Sequence, residues 1–215
     1  MGDLVFCQNS GHGRSAVAEP WMLDSVFKLR HAVFFERLGW DVRSVCGREI
    51  DDFDTPEAIY GVALDESGTM EGCFRLLPTT GPYMLKDVFA ELLHGQPAPR
   101  GETVLESSRF SVLPAEWHYN AKQALFTVTG RLLMSQITYC LEHGIDTVVS
   151  VTDVRFERVL KAVGLSFERY GPPIRIGKSL AVAGWQHPTE ENLKQVEEAY
   201  LKNLSLDQAG LRKSA

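Results

Sequence analysis

One arginine in the first helical stretch of this chain stands where a buried apolar residue would be expected. Between Trp21 and Trp40, apolar residues recur three or four positions apart, which predicts an amphipathic helix with one face in the core. Arg30 falls on that apolar face. Because a guanidinium keeps its charge, burying it without an anionic partner would cost several kcal/mol. The fold must therefore either let Arg30 reach solvent or bring carboxylates to it.

The polar segment that follows, residues 46–56, carries carboxylates that could meet this charge. They are Glu49, Asp51, Asp52 and Asp54, and Phe53 lies among them. Gly47 and the acid cluster favour a loop over a regular element. The same composition also suits a solvated acidic turn, so the sequence alone leaves two interpretations of this loop open.

Three further charged residues lie in stretches that are otherwise apolar. Arg75 interrupts one predicted strand, and Glu106 and Arg109 interrupt another. Each needs a partner if its strand is buried. Residues three apart in a regular strand point to opposite faces, so we predict a bulge near Ser107 and Ser108 that brings Glu106 and Arg109 into one pocket. A desolvated glutamate there would suit general-base chemistry.

The remaining pattern predicts a single α/β domain over residues 1–215. Strands at 58–64 and 70–76 form a hairpin around Gly68, followed by a short helix at 83–93 and a strand at 103–112. Then come a helix at 120–143, a strand at 147–151, a helix at 154–163, strands at 165–170 and 174–183, and a helix at 189–204. We found no linker or internal repeat that would divide the chain.

Composition narrows the classes of function. The formal net charge of −6 argues against a general nucleic-acid binder. The chain has no signal-peptide pattern and no apolar run of the ~20 residues that span a bilayer, so we expect a cytoplasmic protein without a membrane span. Its four cysteines lack the spacing of a metal site, which predicts reduced structural thiols and no metal.

Taken in order, the charged and aromatic residues resemble the signature of the LuxI-type acyl-homoserine-lactone synthases. The matching elements are Arg30-x-x-x-Phe34, Trp40, Glu49-x-Asp51-x-Phe53-Asp54, Arg75-Leu76-Leu77-Pro78-Thr79-Thr80 and Glu106-x-Ser108-Arg109-Phe110. The resemblance covers roughly the first half of the chain. It implies a fold similar to GCN5-related N-acetyltransferases (GNAT-like), with a mixed β-sheet splayed at its middle and flanked by helices.

The resemblance also implies the reaction and its participants. An acyl chain passes from acyl carrier protein to the amine of S-adenosylmethionine, and lactone closure releases methylthioadenosine. S-adenosylmethionine is a substrate, and no cofactor is implied. The implied S-adenosylmethionine site comprises Arg30, Phe34, Trp40, Asp51, Arg109 and Phe110. The implied catalytic network comprises Asp51, Asp54, Arg75, Glu106, Ser108 and Arg109, with Glu106 holding the base water.

The second half of the chain supplies candidates for the other substrate. We expect the acyl chain to run between the sheet and the 120–143 helix, along Leu125 and Met134, although such apolar residues also suit an ordinary core. Ser150 and Thr152 alternate to one face of a strand, and Thr152 matches a threonine that the family associates with 3-oxo-acyl chains. Arg155, Arg158 and Lys161 recur on the 154–163 helix and could attract an acidic acyl carrier protein, or form a solvated face.

Two alternatives remain open at this point. An N-acyltransferase of the same fold that uses acyl-CoA would prefer a glycine-rich phosphate loop after the 103–112 strand, and residues 114–120 contain no glycine. A non-catalytic module that binds acyl carrier protein would need the apolar cavity and the basic face, but not the buried charges.

Overall fold

The computed structural model describes residues 4–8, 16–17, 20–113 and 121–213. Its strands are β1 (Leu4–Gln8), β2 (Ala16–Val17), β3 (Ser44–Val45), β4 (Arg48–Glu49), β5 (Ile59–Leu64), β6 (Met70–Pro78), β7 (Val104–Val112), β8 (Thr147–Asp153), β9 (Glu168–Arg169), β10 (Ile174–Ile176) and β11 (Ser179–Gln186). Its α-helices are α1 (Pro20–Arg30), α2 (Met84–Asp87), α3 (Ala121–Glu142), α4 (Val154–Ala162) and α5 (Glu190–Lys213). A π-helical segment (His31–Arg37) continues α1, and a 3-10 turn (Ala90–Leu93) follows α2.

One large mixed sheet organises the molecule. Its strand order is β10-β11-β8-β7-β6-β5-β1-β2, with β9 paired to β11. The β7–β8 and β1–β2 pairs are parallel, and the other pairs of this sheet are antiparallel. The α1 region packs on one face and α3 on the other, with α5 packed against α3. The predicted single-domain mixed sheet flanked by helices is therefore observed.

The sheet splits at its centre, as the resemblance implied. Strands β7 and β8 pair from Val104 and Thr147 only as far as Ser107 and Ser150. Beyond that point β7 pairs only with β6, and β8 only with β11. The gap between the two diverging strands leaves one edge of each without a strand partner.

Several predicted elements differ in extent. The first helix was predicted to run to Trp40, but regular α-geometry ends at Arg30 and the next seven residues form the π-helical segment. The predicted 83–93 helix is divided into α2 and the 3-10 turn. The predicted 174–183 strand is two strands joined at Gly177, whose φ is +56°. The predicted 165–170 strand is reduced to Glu168–Arg169. Asn120, the predicted start of α3, lies outside the described residues.

Candidate functional site

Arg30 is completely buried. Carboxylates from residues 46–56, which we call the acidic loop, surround its guanidinium. Its Nε lies 2.5 Å from Glu49 Oε2, and its two terminal nitrogens lie 2.7 and 3.0 Å from the oxygens of Asp54. Burial disfavours the charge, but the hydrogen bonds and charges of Asp54 and Glu49 more than offset it and raise the pKa of Arg30. The prediction that the acid cluster folds back on Arg30 is confirmed for these two residues and for Asp51, whose Oδ2 lies 3.8 Å from Arg30 Nη2. Asp52 is exposed instead and lies 3.6 Å from Arg43.

Arg75 and Arg109 complete the network. Arg75 Nη1 lies 2.5 Å from Asp51 and 2.7 Å from Asp54, and its Nε donates to Ser108 Oγ at 3.1 Å. Arg109 Nη2 lies 3.0 Å from Glu49 and 2.8 Å from Asp51. Three arginines thus face three carboxylates, and their formal charges cancel.

The network has a buried layer and a layer that faces open space. The side chains of Arg30, Arg75, Glu49 and Asp54 are at most 3% exposed, whereas those of Arg109 and Asp51 are 12% and 14% exposed. Burial alone would raise the pKa of Asp54, but Arg30 and Arg75 hold it well below its usual range. The buried layer therefore fixes the positions of Arg109 and Asp51, which are the members that a ligand can reach.

Arg109 lies on a bulge of β7. Cys73 pairs with Ser111 and Arg75 with Ser108, so two residues of β7, Arg109 and Phe110, oppose one residue of β6. Arg109 has a φ of +53°, which is strained for a residue with a side chain. A bulge was predicted near Ser107 and Ser108, and the structure places it one to two residues later. The extra residue re-aims the Arg109 guanidinium toward the acidic loop.

Glu106 lies beside this network but has different partners. Its two carboxylate oxygens accept hydrogen bonds from the backbone N–H groups of Met84 (2.8 Å) and Leu85 (2.6 Å), at the start of α2. Burial raises the pKa of Glu106 to about 7, against the opposing effects of those hydrogen bonds and of Arg75 and Arg109. A carboxyl group with such a pKa can exchange a proton near neutral pH.

Aromatic rings flank the exposed layer. Phe34 and Trp40 stack with ring centroids 5.1 Å apart, and the Arg109 guanidinium lies 5.5 Å from the centre of the Phe34 ring. The π-helical segment carries Phe34, and the backbone N–H of Trp40 donates to the Phe34 carbonyl at 2.9 Å. Phe110 lies further along β7 and packs on Phe74 and Phe156.

A cavity of about 1150 Å³ joins this charged end to an apolar region. At the charged end it is lined by Phe34, Trp40, Asp51, Phe53, Met84, Glu106, Ser108 and Arg109. On the far side of the sheet it is lined by apolar residues, including Leu125, Leu133, Phe156, Leu160, Leu165 and Phe167. Because residues of both faces line it, the cavity passes through the gap between β7 and β8.

The structure does not bring every predicted residue to the cavity. Arg30, Arg75 and Asp54 lie behind its wall, as described above, and Met134 packs in the core around Leu133 instead of lining it. Leu125, Phe110, Ser150 and Thr152 do line it. Sequence analysis missed two buried glutamines in the lining, Gln136 and Gln186. The sequence feature that could have identified them is their polarity. Gln136 is a polar residue within an apolar helix, and Gln186 is one at the end of an apolar strand.

The predicted basic helix has mixed surroundings. Arg155 and Arg158 are exposed, and Arg155 also lines the cavity. Lys161 lies 2.9 Å from Glu157, which also pairs with Arg169, so these two cations are partly neutralised. The lining of the cavity also includes the cations Arg37, Arg43 and Lys178.

The four cysteines are free, and burial raises the pKa of Cys7, Cys73 and Cys140 to about 11 or 12, which makes these three poor nucleophiles. Among the described residues no group of three or more His, Cys, Asp or Glu side chains is arranged to hold a metal ion. None of the helices in the described part of the chain is long and apolar enough to cross a membrane.

Comparison with known proteins points in one direction. The model of the autoinducer synthase family matches residues 16–196. The chain is 36% identical over 173 residues to an acyl-homoserine-lactone synthase of Pseudomonas aeruginosa, covering 80% of this chain and 85% of that protein. It is 34% identical over 194 residues to one from Agrobacterium fabrum, covering 90% and 92%.

Solved structures agree with the sequence matches. The AHL synthase LasI superposes with a TM-score of 0.78 at 32% identity, covering 93% of this chain and 94% of that one. The CoA-dependent acyl-homoserine lactone synthase MesI gives 0.70 at 27% identity, covering 83% and 87%. TofI, solved in a ternary complex with an inhibitor and MTA, gives 0.75 at 28%, covering 90% and 96%. A putative N-acetyltransferase from Lactobacillus plantarum shares the fold, with a TM-score of 0.57 at 15% identity and coverage of 87% and 99%.

Proposed function

We propose that this chain, which belongs to the autoinducer synthase family of acyl-homoserine-lactone synthases, takes its acyl chain from acyl carrier protein and its amine from S-adenosylmethionine. The observation that carries the proposal is the cavity, which joins a charged aromatic end to an apolar end through the split sheet. A small zwitterion with a sulfonium suits the first end, and a fatty acyl chain suits the second.

The exposed layer of the network complements S-adenosylmethionine. Arg109 can pair with the carboxylate of the substrate, and Asp51 with its amine. The stacked rings of Phe34 and Trp40 offer flat faces to the adenine or the sulfonium. The charges of the network itself cancel, so the ionised form of Glu106 would add the negative charge that balances the net positive charge of this substrate.

Acylation requires the amine of S-adenosylmethionine in its neutral form. Glu106, whose pKa is about 7, would accept the amine proton through a water molecule. The neutral amine nitrogen then attacks the thioester carbon, and the carbon–sulfur bond breaks to give an amide and a thiolate. The thiolate takes up the second proton that the nitrogen loses on becoming an amide, and the first proton passes from Glu106 to solvent. The edge of β7 that faces the gap has no strand partner beyond Ser107, and its free backbone N–H groups could stabilise the oxyanion.

Lactone closure needs no further group. The carboxylate oxygen of the acylated substrate attacks its own carbon next to the sulfonium, and the carbon–sulfur bond breaks to release neutral methylthioadenosine. Arg109 would hold that carboxylate in line with the bond that breaks. We propose that the enzyme uses no cofactor beyond its two substrates.

The choice of acyl carrier protein over CoA rests on the charges at the cavity mouth. Arg155 and Lys178 lie at the mouth, and Arg158 and Arg175 are exposed on the neighbouring surface. No ion-pair partner for these four is found among the residues that the structure describes. Cations that extend beyond the mouth favour a folded acidic partner, because a free CoA would contact only those at the mouth.

The test supplies the purified protein with S-adenosylmethionine and the same acyl group on either acyl carrier protein or CoA. Mass spectrometry should find acyl-homoserine lactone and methylthioadenosine in equal amounts. We expect kcat/KM to be at least tenfold higher with the acyl carrier protein and to fall with salt. Equal or better use of acyl-CoA would overturn the choice of donor, and no lactone with either donor would overturn the proposed function.

A further inference from the structure

Two buried glutamines connect two strands of the sheet, β11 and β7, through α3. Gln186 Nε2, on β11, donates to Gln136 Oε1, on α3, at 3.0 Å, and Gln136 Nε2 donates to Ser107 Oγ, on β7, at 2.7 Å. Gln136, Gln186 and Ser107 are 1%, 5% and 9% exposed, and all three line the cavity. We call this chain of hydrogen bonds the amide relay.

The amide relay has a direction. An amide NH₂ has no lone pair to offer, so the Ser107 hydroxyl, which accepts from Gln136, must point its own hydrogen elsewhere. No acceptor for that hydrogen is found among the described residues. At the other end, Gln186 Oε1 is buried without a partner in the described part of the chain. The reverse orientation would instead bury an unpaired N–H, which proteins tolerate less well than an unpaired carbonyl. The relay therefore presents Ser107 as a free donor.

The position of Ser107 determines what can meet this donor. Ser107 and Ser150 form the last pair before β7 and β8 diverge. Adjacent residues of a strand point to opposite faces, so Ser107 faces α3 while Glu106 faces α2. An acyl chain that enters the gap from the Glu106 side reaches Ser107 within its first few carbons. Carbon 3 is the position in fatty acid elongation that carries an oxygen so close to the thioester.

Resting on the proposed function, we infer that the Ser107 hydroxyl, held as a donor by Gln136 and Gln186, binds the carbonyl oxygen of a 3-oxo-acyl chain. Gln136 and Gln186 act as positioning residues. An unsubstituted chain would leave the buried hydroxyl without an acceptor, so the relay would discriminate more strongly than the apolar lining does. Thr152 is the rival donor, but its Oγ1 lies 3.4 Å from the Asp153 carbonyl and beyond the last β7–β8 pair.

The experiment compares kcat/KM for acyl carrier protein that carries a 3-oxo-acyl chain with kcat/KM for acyl carrier protein that carries an unsubstituted chain of the same length. The ratio of the two values measures the preference. We expect the wild type to prefer the 3-oxo chain at least tenfold, and Ser107→Ala to lower that ratio at least fivefold. Gln136→Met keeps the volume but removes the relay, and should lower the ratio to a similar degree. Because Gln136 acts through Ser107, the double variant Ser107→Ala with Gln136→Met should have the same ratio as Ser107→Ala alone. Gln186→Met, which keeps the bond to Ser107, should have a smaller effect.

Two further variants separate specificity from folding. Asn192→Leu replaces a buried polar residue outside the cavity lining, and should change stability without changing the ratio. Thr152→Val should also leave the ratio near that of the wild type. A wild-type preference for the unsubstituted or 3-hydroxy chain, an unchanged ratio in Ser107→Ala, or a loss confined to Thr152→Val would each overturn the inference. Absence of lactone from every donor would instead overturn the proposed function.

Discussion

Arg30 binds Asp54 with both terminal nitrogens of its guanidinium, at 2.7 and 3.0 Å, in a place that solvent does not reach. Its Nε is occupied by Glu49 at the same time. Only a planar group with donors on two sides can make this set of bonds. The buried layer of the network therefore depends on the shape of arginine as well as on its charge.

Arg30→Lys should destabilise the protein and slow the reaction that it catalyses. An ammonium cannot satisfy Glu49 and both oxygens of Asp54, so a buried carboxylate is left partly unpaired, at about 3–5 kcal/mol in the free energy of unfolding. We expect kcat/KM to fall at least tenfold. Urea unfolding and kinetics measure the two effects, with the exposed Arg100→Lys as the control. Near-wild-type values for both would contradict the role.

Arg109→Lys should separate activity from stability. Arg109 is partly exposed and faces the cavity, so its replacement leaves the bonds of Arg30 and Arg75 in place, and buried Glu49 keeps its bond to Arg30. We expect at least a tenfold fall in kcat/KM for S-adenosylmethionine, about 1.4 kcal/mol, with a smaller loss of stability than in Arg30→Lys. If this variant binds S-adenosylmethionine with wild-type affinity in calorimetry, Arg109 does not form the carboxylate subsite.

The lowered pKa of Asp54 should make the free energy of unfolding depend on pH in the acid range. Its pKa is lowered in the fold, so the stability that it contributes is complete above about pH 4, the pKa of an unfolded aspartate, and is lost as the pH falls toward the lowered pKa. Asp54→Asn should therefore be strongly destabilised at pH 7. The gap to the wild type should narrow between pH 4 and pH 3. A gap in unfolding free energy that stays constant over this range would show that Asp54 is not ionised in the fold.

Glu106 predicts a rise in acylation rate around neutral pH. Its folded pKa of about 7 lies above that of a free glutamate, so the carboxylate that takes the proton predominates only above pH 7. The single-turnover rate should increase through that range, and Glu106→Gln should be slow and lack the increase. For stability the sign is opposite, because the protonated form is favoured in the fold and its contribution is lost as the pH rises through 7.

The Glu106→Gln variant needs its own control. Its amide NH₂ would face one of the two backbone N–H groups of Met84 and Leu85, so α2 could shift. Urea unfolding shows whether the fold is retained. A folded variant that turns over normally would exclude Glu106 as the base, and so would one whose pH profile matches the wild type.

The exposed cations of α4 should affect the binding of acyl carrier protein only, and this effect should depend on salt. Arg155→Glu with Arg158→Glu should raise the KM for acyl carrier protein several-fold at low salt and leave binding of S-adenosylmethionine unchanged. Adding Lys161→Glu should contribute less, because Lys161 pairs with Glu157. The matched control is Lys194→Glu with Lys202→Glu on the exposed face of α5. Equal effects of the two sets would show that only net charge matters.

The sequence predicted the site better than the extents of the elements around it. A charged residue in an apolar pattern is informative because burial forces it to have a partner, and this argument identified Arg30, Arg75, Glu106 and Arg109. It did not say which oxygen each would meet or that Asp52 would be left out, because such choices depend on loop geometry. The position of the bulge escaped prediction since Arg109 has no feature that favours a positive φ.

The end of α1 and the amide relay show a second limit. Nothing in the residues after Arg30 distinguishes a π-helical segment from a continued α-helix. In sequence Gln136 is only a polar residue in an apolar helix, and the fold places its Nε2 2.7 Å from Ser107 Oγ. Contacts between side chains distant in sequence cannot be deduced from periodicity.

The charge network also links activity to the folding of the entire sheet. Arg109 binds Glu49, which lies 60 positions earlier in the chain, and Arg30 and Arg75 come from other elements again. Loops of this length close only when the strands between them are paired, so partly folded chains would carry three unmatched arginines and no binding site. Loss of lactone synthesis in denaturant should therefore coincide with the loss of sheet structure, without an active intermediate.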